Sequence, residues 1–350
     1  MNTQLKTQID NLLEESLEQD QHKADYKGPA KEFKFDDLSR IVPAAGPLFG
    51  KDISGKPLEA TPWAYSQIFS KLGTTLFGKA SKSLPSDYLL ALRPEQRAAL
   101  LNDHLQYTKG GWLVRSFDDS ARAVLSDRYT TIDNSALLDI INRVSQGTEQ
   151  PHKLTPNSSV TPDSLNCRII WKNIETGDNS KGNGSWGIGT YIRNGETGNR
   201  RGGILPLIQR HSCQNSIIVD SSTSGYEFLH LGSQDAKLTL VKAAIADVLP
   251  FAAKLLDDLI KADGEKIPDF TDVIAGICKQ YKWGEDLKSK LILGSEGQDT
   301  KLGLINGVTA LSHAVEDPDL KADFEIAGGA ILLTPDSVFH RFALIGREDR

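Results

Sequence analysis

The spacing of apolar residues predicts helices in the first half of the chain. Within the first twenty residues, apolar side chains recur every three or four positions, as they do on one face of a helix. Thr61-Pro62 and Pro94 are typical helix starts, because threonine caps a first turn and proline suits the first helical position. Asn134 and Gly147 suit the two ends of another helix. The predicted helices cover 3–19, a segment from 62, 94–106, 119–125 and 135–146.

Alternation of apolar and polar residues predicts strands farther along the chain. After an early strand at Trp112–Phe117, the alternating runs lie at 165–172, 185–193, 212–219 and 226–231. An apolar stripe then predicts a long helix over 236–262, capped by Ser233 or Asp235. Pro250 lies inside this helix, and we expect it to kink or break there. A helix near 270–281 and two closing strands, at 325–334 and 337–345, complete the prediction.

This order of elements predicts an α+β fold, in which an antiparallel β-meander is backed by a long helix. The N-terminal region is expected to be mostly helical, with a loose charged segment at 20–37 and irregular chain at 41–60. Residues 148–164 are rich in Pro, Ser, Thr and Asn and form the best linker candidate. We therefore divide the chain at 1–150 and 151–350, although the two parts can also form one continuous domain.

Alternation also sorts the side chains of the meander onto two faces. Trp186, Ile188 and Ile192 are expected to lie under the long helix. The opposite face is expected to be free, since one helix covers one face only. It would carry four cations and one aromatic residue, namely Arg168, Lys172, Tyr191, Arg193 and Arg210. Such a face is suited to tracking the backbone of a nucleic-acid single strand, although a solvated face without specific function would have the same composition.

The distribution of charge favours an anion near this face. The whole chain has a net charge of −6, yet between Arg168 and His211 seven basic residues stand against three acidic ones. The glycine-rich loop after the second strand contributes Arg200 and Arg201, close to Arg193 and with Glu196 as the one acid between them. We expect these arginines to contact phosphates, because mobile glycine-rich backbone lets cations approach a polyanion.

Two further groups of residues suggest chemistry. His211, Cys213 and His230 could bind zinc, or a cysteine–histidine pair could form a nucleophile and its base. Asp127 and Asp133 could serve a metal or acid–base catalysis. We prefer structural roles for both groups: a buried cysteine acts as a small apolar residue, and Asp commonly caps helices and turns. No catalytic residue, metal or cofactor is therefore expected.

Cysteine content and hydropathy indicate the compartment. Three cysteines, none in a CxxC pair, argue against a disulfide framework. The N-terminus is acidic and amphipathic, unlike a signal peptide, and no apolar run reaches the length of a membrane span. We expect a cytoplasmic protein that does not enter the membrane.

Several motifs resemble a known family, the phage- and plasmid-borne domain-of-unknown-function family nine hundred and thirty-two. The motifs are ARAVLSDRYTTIDNSALLDII, SWGIGTYIRNGETG, QRHSCQNSI with a following His-x-Gly at His230 and Gly232, and NGVTALSHA. They cover roughly 110–315. The chain has GETG where the family motif has Asn-Ser-Glu-x-Gly, which keeps Glu196 and Gly198 in place. The resemblance implies a role on a mobile element and assigns no catalytic residue.

We therefore expect a non-catalytic protein of a phage or plasmid that binds single-stranded DNA in recombination or replication. The order of elements is similar to that of phage single-strand annealing proteins, an analogy at the level of the fold. A homo-oligomer, as a ring or filament, would align many weak sites. Two alternatives stay open: a metal-dependent nuclease or modifying enzyme, and an interaction protein that inhibits host defence.

Overall fold

The computed structural model describes eight segments of the chain: 3–43, 49–50, 55–77, 86–146, 153–175, 185–211, 215–220 and 225–347. The helices are α1 (Thr3–Asp20), α2 (Pro62–Phe77), α3 (Ser86–Ala91), α4 (Pro94–Tyr107), α5 (Asn134–Gln146), α6 (Gln234–Ala262), α7 (Phe270–Tyr281), α8 (Glu285–Gly294), α9 (Lys301–Ala310), α10 (Pro318–Leu333) and α11 (Asp336–Arg347). The strands are β1 (Lys23–Pro29), β2 (Lys34–Phe35), β3 (Ile41–Val42), β4 (Phe49–Gly50), β5 (Glu59–Ala60), β6 (Gly111–Phe117), β7 (Ser120–Ser126), β8 (Lys153–Leu154), β9 (Ser159–Val160), β10 (Ser164–Glu175), β11 (Ser185–Gly195), β12 (Gly202–Arg210), β13 (Ser216–Ile218) and β14 (Tyr226–Phe228). The predicted α+β class is confirmed.

The N-terminal region contains a sheet in addition to its predicted helices. Its strand order is β4-β1-β6-β7-β5, antiparallel except for the β5–β7 pair. One face of this sheet packs against α2, α3 and α4 around Tyr26, Trp112 and Val124. The expectation of a loose segment at 20–37 is therefore wrong, because β1 lies there with its charged residues Lys23 and Asp25 buried.

The second sheet is the predicted meander, extended by one strand that the sequence did not reveal. Its order is β13-β12-β11-β10-β8, with β14 also paired to β12 and β9 to β10. The unforeseen strand is β12, which is buried along its whole length and pairs with β11. Because both of its faces are covered, its apolar and polar residues do not alternate clearly. The predicted third strand, at 212–219, is reduced to β13 within the described residues.

Helix α6 covers one face of this sheet, as predicted. Its 29 residues begin after Ser233, whose side chain caps the first turn by accepting a hydrogen bond from the amide of Ala236. The helix packs on the face that carries Trp186, Ile188 and Ile192. It continues through Pro250 as one helix. The apolar stripe on both sides of the proline is buried against the sheet, which offsets the lost backbone hydrogen bond.

The opposite face of the second sheet is covered as well, so the prediction of a free face is wrong. Ile170, Tyr191, Leu205 and Leu207 on this face are buried together with Ala322 of α10. Helix α10 lies in a segment that the sequence analysis assigned to strands. Its start carries a clear signal that was missed: Asp317 accepts hydrogen bonds from the amides of Asp319 and Leu320 and precedes a proline.

Two other predicted elements have the wrong type. The segment 119–125, predicted as a helix, is β7, which pairs with β6 across a two-residue turn. Asp118 in this turn has a φ of 48°, which aspartate tolerates and which tight hairpins require. The run at 337–345, predicted as a strand, lies in α11, in which the buried residues Phe339 and Ala343 are four positions apart, the spacing of one helix face.

Helices α7 and α11 approach each other until their backbones touch. A Cβ atom added at Gly276 would lie 2.0 Å from the carbonyl oxygen of Phe342, and one at Gly346 would lie 2.1 Å from that of Asp272. The two glycines are thus required on both sides of the contact, since no side chain fits between the helices.

Replacing Gly276 by valine should therefore destabilise the protein by at least about 1–3 kcal/mol, because the two helices must separate. Urea unfolding followed by circular dichroism measures this. Gly284→Ser is the matched control, since a Cβ atom there meets nothing within 4 Å and serine is a good helix cap. Equal stability of Gly276→Val and the control would contradict the close packing of α7 on α11.

Candidate functional site

The first two motifs of the family resemblance meet at one place in the fold. The tip of the β11–β12 hairpin, around Glu196, lies against the face of the first sheet that the helices leave open. Tyr129 donates hydrogen bonds from its hydroxyl to the carbonyl oxygens of Gly195 and Glu196, at 3.0 and 3.2 Å. Asn194 donates to the carbonyl oxygen of Ile132 at 2.8 Å. Residues of the first and second motifs are therefore in direct contact.

Glu196 is the centre of a buried group of charges. Its carboxylate accepts hydrogen bonds from Lys23 and Arg122, each at 2.8 Å, and lies 3.7 Å from the Arg115 guanidinium. The backbone amide of Asn134 donates a fourth contact, at 2.8 Å. Lys23, Arg115 and Glu196 are fully buried. We call Lys23, Asp25, Arg115, Arg122, Asp133 and Glu196 the Glu196 cluster.

Asp25 and Asp133, the other acids of the cluster, both pair with Arg115. Arg115 donates from Nε to Asp25 at 2.9 Å and from Nη2 to Asp133. Lys23 also reaches Asp20 at 2.6 Å. Arg122 lies between Glu196 and Asp163, 3.5 Å away, so each cation of the cluster lies between carboxylates. Such pairing is required here, since an unpaired charge out of water costs several kcal/mol.

The surroundings of Glu196 and Asp25 shift the pKa values of these two buried acids in opposite directions. Burial on its own raises the pKa of Glu196, but Arg122, Arg115 and Lys23 lower it to about 2. Burial also raises the pKa of Asp25, and there its neighbour Arg115 does not overcome the effect. Glu196 is therefore charged at neutral pH and holds the cluster together electrostatically.

The third motif joins this site through His230. The imidazole stacks on the ring of Tyr129, with centroids 4.7 Å apart and an interplanar angle of 3°. Nδ1 of His230 lies 3.2 Å from the carbonyl oxygen of Thr130, and burial lowers the pKa of His230 to about 4. The ring is neutral at pH 7, so it contributes to packing and fixes the segment after β14 against Tyr129.

The backbone of the hairpin tip is fixed from a further side by α2. The indole of Trp63 and the amide of Gln67 both donate to the carbonyl oxygen of Thr197, each at 3.0 Å. Gly198 follows with a φ of 73°, a conformation suited to glycine. Since the charged groups are buried, the site joins two sheets and presents no nucleophile to solvent from the Glu196 cluster.

The residues predicted to form one cationic face do not all lie on the same face of the sheet. Tyr191 and Arg168 lie under α10, and Arg168 is fully buried, with its guanidinium 2.7 Å from Glu325 and 4.9 Å from the centre of the Tyr191 ring. Asn166 accepts a hydrogen bond from the Tyr191 hydroxyl. These residues connect the sheet to α10, so they are not available to a nucleic acid in this structure.

Lys172 and Arg210 lie on the other face of the sheet, which corrects the predicted alternation. A β-bulge between Ile170 and Lys172 shifts the register, so Lys172 pairs with Ile188 on the α6 face. Arg210 pairs with Trp186 and shares that face. Lys172 is exposed, whereas Arg210 is buried. The one extra residue of this bulge thus places Lys172 on the opposite face of the sheet from Arg168.

The loop arginines have more carboxylate partners than the sequence indicated. Arg193 contacts both Asp220, at 3.0 Å, and Glu227. Arg200 lies 3.6 Å from Asp319 and 3.1 Å from Asp323 of α10. Arg201 is different: its side chain is 63% exposed, and its nearest carboxylate, Glu227, is 3.5 Å away. The loop is therefore not the uncompensated cationic group that we predicted, because distant segments supply four acids.

The two groups considered for catalysis or metal binding are not assembled. His211 follows β12 at one end and His230 lies beyond its other end, so they are farther apart than the length of β12, roughly 26 Å at 3.3 Å per residue. Cys213 lies outside the described residues. Asp133 is engaged with Arg115, and Asp127 lies near Gly111 in the turn after β7. Within the described segments no three His, Cys, Asp or Glu side chains form a group that could hold a metal ion.

Comparison with known proteins finds no matching protein-family model, no matching curated protein and no matching solved structure. The family resemblance therefore stays a prediction. Within the part of the chain that the structure describes, no helix is both long enough and apolar enough to cross a membrane.

Most residues of the Glu196 cluster were not predicted as a site from the sequence. Lys23 and Asp25 alternate with the apolar Ala24 and Tyr26, and Arg115 follows Val114 in an apolar strand. Charges at every second position of a buried strand indicate ion pairs with another segment, and this signal could have identified the cluster. The partner, Glu196, is far along the chain and has no local signal of its own.

Replacing Glu196 by glutamine should destabilise the protein by about 3–5 kcal/mol, because three buried cations lose their shared carboxylate. Glu227→Gln is the control: it removes one carboxylate from the exposed Arg201 and from Arg193, which keeps its contact with Asp220, and it should cost no more than about 1 kcal/mol. Urea unfolding at neutral pH compares the two variants with the wild type.

The difference in stability between the wild type and Glu196→Gln should depend on pH. Because the pKa of Glu196 is lowered to about 2, the stability that it contributes is present above its usual pKa of 4.5 and is lost as the pH falls towards 2. The stability difference between wild type and Glu196→Gln should therefore shrink over this interval. A difference that is small at pH 7, or constant down to pH 2, would mean that the ion pairs do not stabilise the fold.

Proposed function

We propose that the protein binds single-stranded nucleic acid without acting on it chemically, and that Arg201 and Lys172 supply phosphate contacts. The observation that carries the proposal is the exposure of Arg201 at the edge of the β11–β12 hairpin. Its side chain is 63% exposed with one carboxylate at 3.5 Å, so a phosphate can replace that contact at little cost.

The neighbouring arginines support this contact indirectly. Arg193 and Arg200 are held by carboxylates of the same chain, which fixes the backbone that leads to Arg201. A cation on a fixed hairpin loses less conformational freedom when it binds than one on a mobile loop. Their partners also place negative charge nearby, so binding should be weak at one site.

Lys172 provides a second contact at the other end of the meander. It is exposed and makes no ion pair with another described residue, and neither does Lys153, which lies on the adjacent strand β8. Lys153 pairs with Ile170, so it lies on the opposite face of the sheet from Lys172, together with His211. His211 hydrogen-bonds Asn173, and burial together with Lys153 lowers its pKa, which favours a neutral ring. Lys172 therefore supports the proposal as an exposed cation, whereas stacking beside a lysine is possible only at Lys153 and His211 on the other face.

The order of elements gives further support. The strands β10, β11 and β12 run as a meander and lead, after β13 and β14, to the long helix α6. Phage single-strand annealing proteins share this order, which is an analogy at the level of the fold. A role in recombination or replication of a phage or plasmid, in the cytoplasm, is part of the same proposal.

The salt dependence of binding tests the residues. A fluorescently labelled oligothymidine is titrated with protein over a salt series, and the logarithm of the affinity is plotted against that of the salt concentration. Arg201→Ala and Lys172→Ala should each lower the magnitude of the slope by about 0.7, the value for one phosphate contact on a single strand. Arg200→Ala should leave the slope unchanged, because its cation is already paired.

Lys266→Ala is the control for exposed cations, since Lys266 is 78% exposed and lies far along the chain in the helical region. It should change neither affinity nor slope. Absence of binding at low salt would overturn the proposed function. Equal slopes for wild type, Arg201→Ala and Lys172→Ala would remove these two residues from the site, and tighter binding of duplex DNA would contradict the single-strand preference.

A further inference from the structure

A cleft between α5 and the first turns of α6 is not used by the proposed nucleic-acid site. Its volume is about 540 Å³. The α5 wall presents Ala136, Ile140 and Val144, spaced by four residues so that they form one row along the helix. Leu238 of α6 faces them from the other wall. The apolar side chains are only half-buried, so the cleft offers apolar surface that a partner can cover.

Charged residues at the rim determine which partner fits. Asp139 and Arg143 of α5 pair with each other. Asp235 and Lys242 of α6 are exposed and make no ion pair with any other described residue. They lie seven positions apart, two helical turns or about 10 Å along the same side of α6. A partner must therefore present a cation opposite Asp235 and an anion opposite Lys242. The balanced charge does not suit a polyanion.

The α6 surface itself meets this requirement. When a second α6 lies antiparallel across the first, its Lys242 comes opposite Asp235 and its Asp235 comes opposite Lys242. The midpoint between the two charges falls at Leu238 and Thr239, so the leucines meet near the axis that relates the two copies. A surface that is complementary to itself in this way is what a two-fold symmetric dimer requires.

From this self-complementarity we propose that the partner in the cleft is a second copy of this chain. The two α6 helices pair antiparallel through Asp235, Leu238 and Lys242, and each enters the cleft of the other copy beside Ile140 and Val144. The apolar row covers the contact, and the reciprocal ion pairs set its direction. This interface is independent of nucleic acid, so the proposal does not rest on the function above.

Charge exchange within the interface tests the proposal directly. Sedimentation velocity of the full chain at low ionic strength should show a species of twice the 38.3 kDa chain mass that dissociates on dilution. Asp235→Lys places lysine opposite Lys242 at two symmetric positions and should weaken association at least about tenfold. The double variant Asp235→Lys/Lys242→Asp exchanges the charges and should restore the wild-type affinity, which a surface without direct contact would not do.

Asp247 and Lys254 provide a matched control on the same helix. They have the same charges and the same spacing, and both are exposed, but they are rotated away from the α5 cleft. Asp247→Lys should leave association unchanged, and circular dichroism should show all variants folded. If larger assemblies form, Asp235→Lys should reduce them and the double variant should restore them.

Three results would overturn the dimer. They are a wild-type protein that stays monomeric at every concentration, an Asp235→Lys variant that associates like the wild type, and a double variant that fails to regain association. An effect of Asp247→Lys equal to that of Asp235→Lys would likewise show that total charge, rather than this interface, controls association.

Discussion

The pairing of buried charges around Glu196 is the constraint on which the arrangement of the two sheets depends. Three cations, Lys23, Arg115 and Arg122, come from the N-terminal sheet, whereas Glu196 comes from the hairpin of the second sheet. Glu196 cannot be removed from water without these cations, so the hairpin can bury its carboxylate only by docking on the N-terminal sheet. The backbone contacts from Tyr129 and Trp63 then fix the hairpin tip in one conformation.

A second buried ion pair likewise joins two distant segments of the chain. Arg168 of β10 and Glu325 of α10 are both fully buried and 2.7 Å apart. Their pairing aligns α10 with the sheet and closes the face that would otherwise be open. The consequence for function is that most arginines of the meander stabilise the fold. Contacts with a polyanion fall to exposed residues at its edges, such as Arg201 and Lys172.

Elements were predicted correctly where the periodicity of a single segment is enough to identify them. The period of α6 and the alternation of β10 and β11 gave the meander, the helix and the face between them. Prediction failed where long-range contact decides the outcome. The distant partners of Lys23 and Arg168 carry no local signal that identifies them, and α10 was predicted as a strand because it is apolar on several sides. The bulge before Lys172 illustrates the same limit, since one unpaired residue reversed the predicted face.

Hydrogen–deuterium exchange of the Glu196→Gln variant tests most directly whether this cluster couples the two sheets. Faster exchange is expected in β1 and β6 and also in the facing ends of β11 and β12, because removal of one carboxylate loosens both partners. The helices α7 and α11 share no contact with the cluster and should exchange as in the wild type. Faster exchange confined to the hairpin tip, with β1 and β6 unchanged, would contradict the coupling.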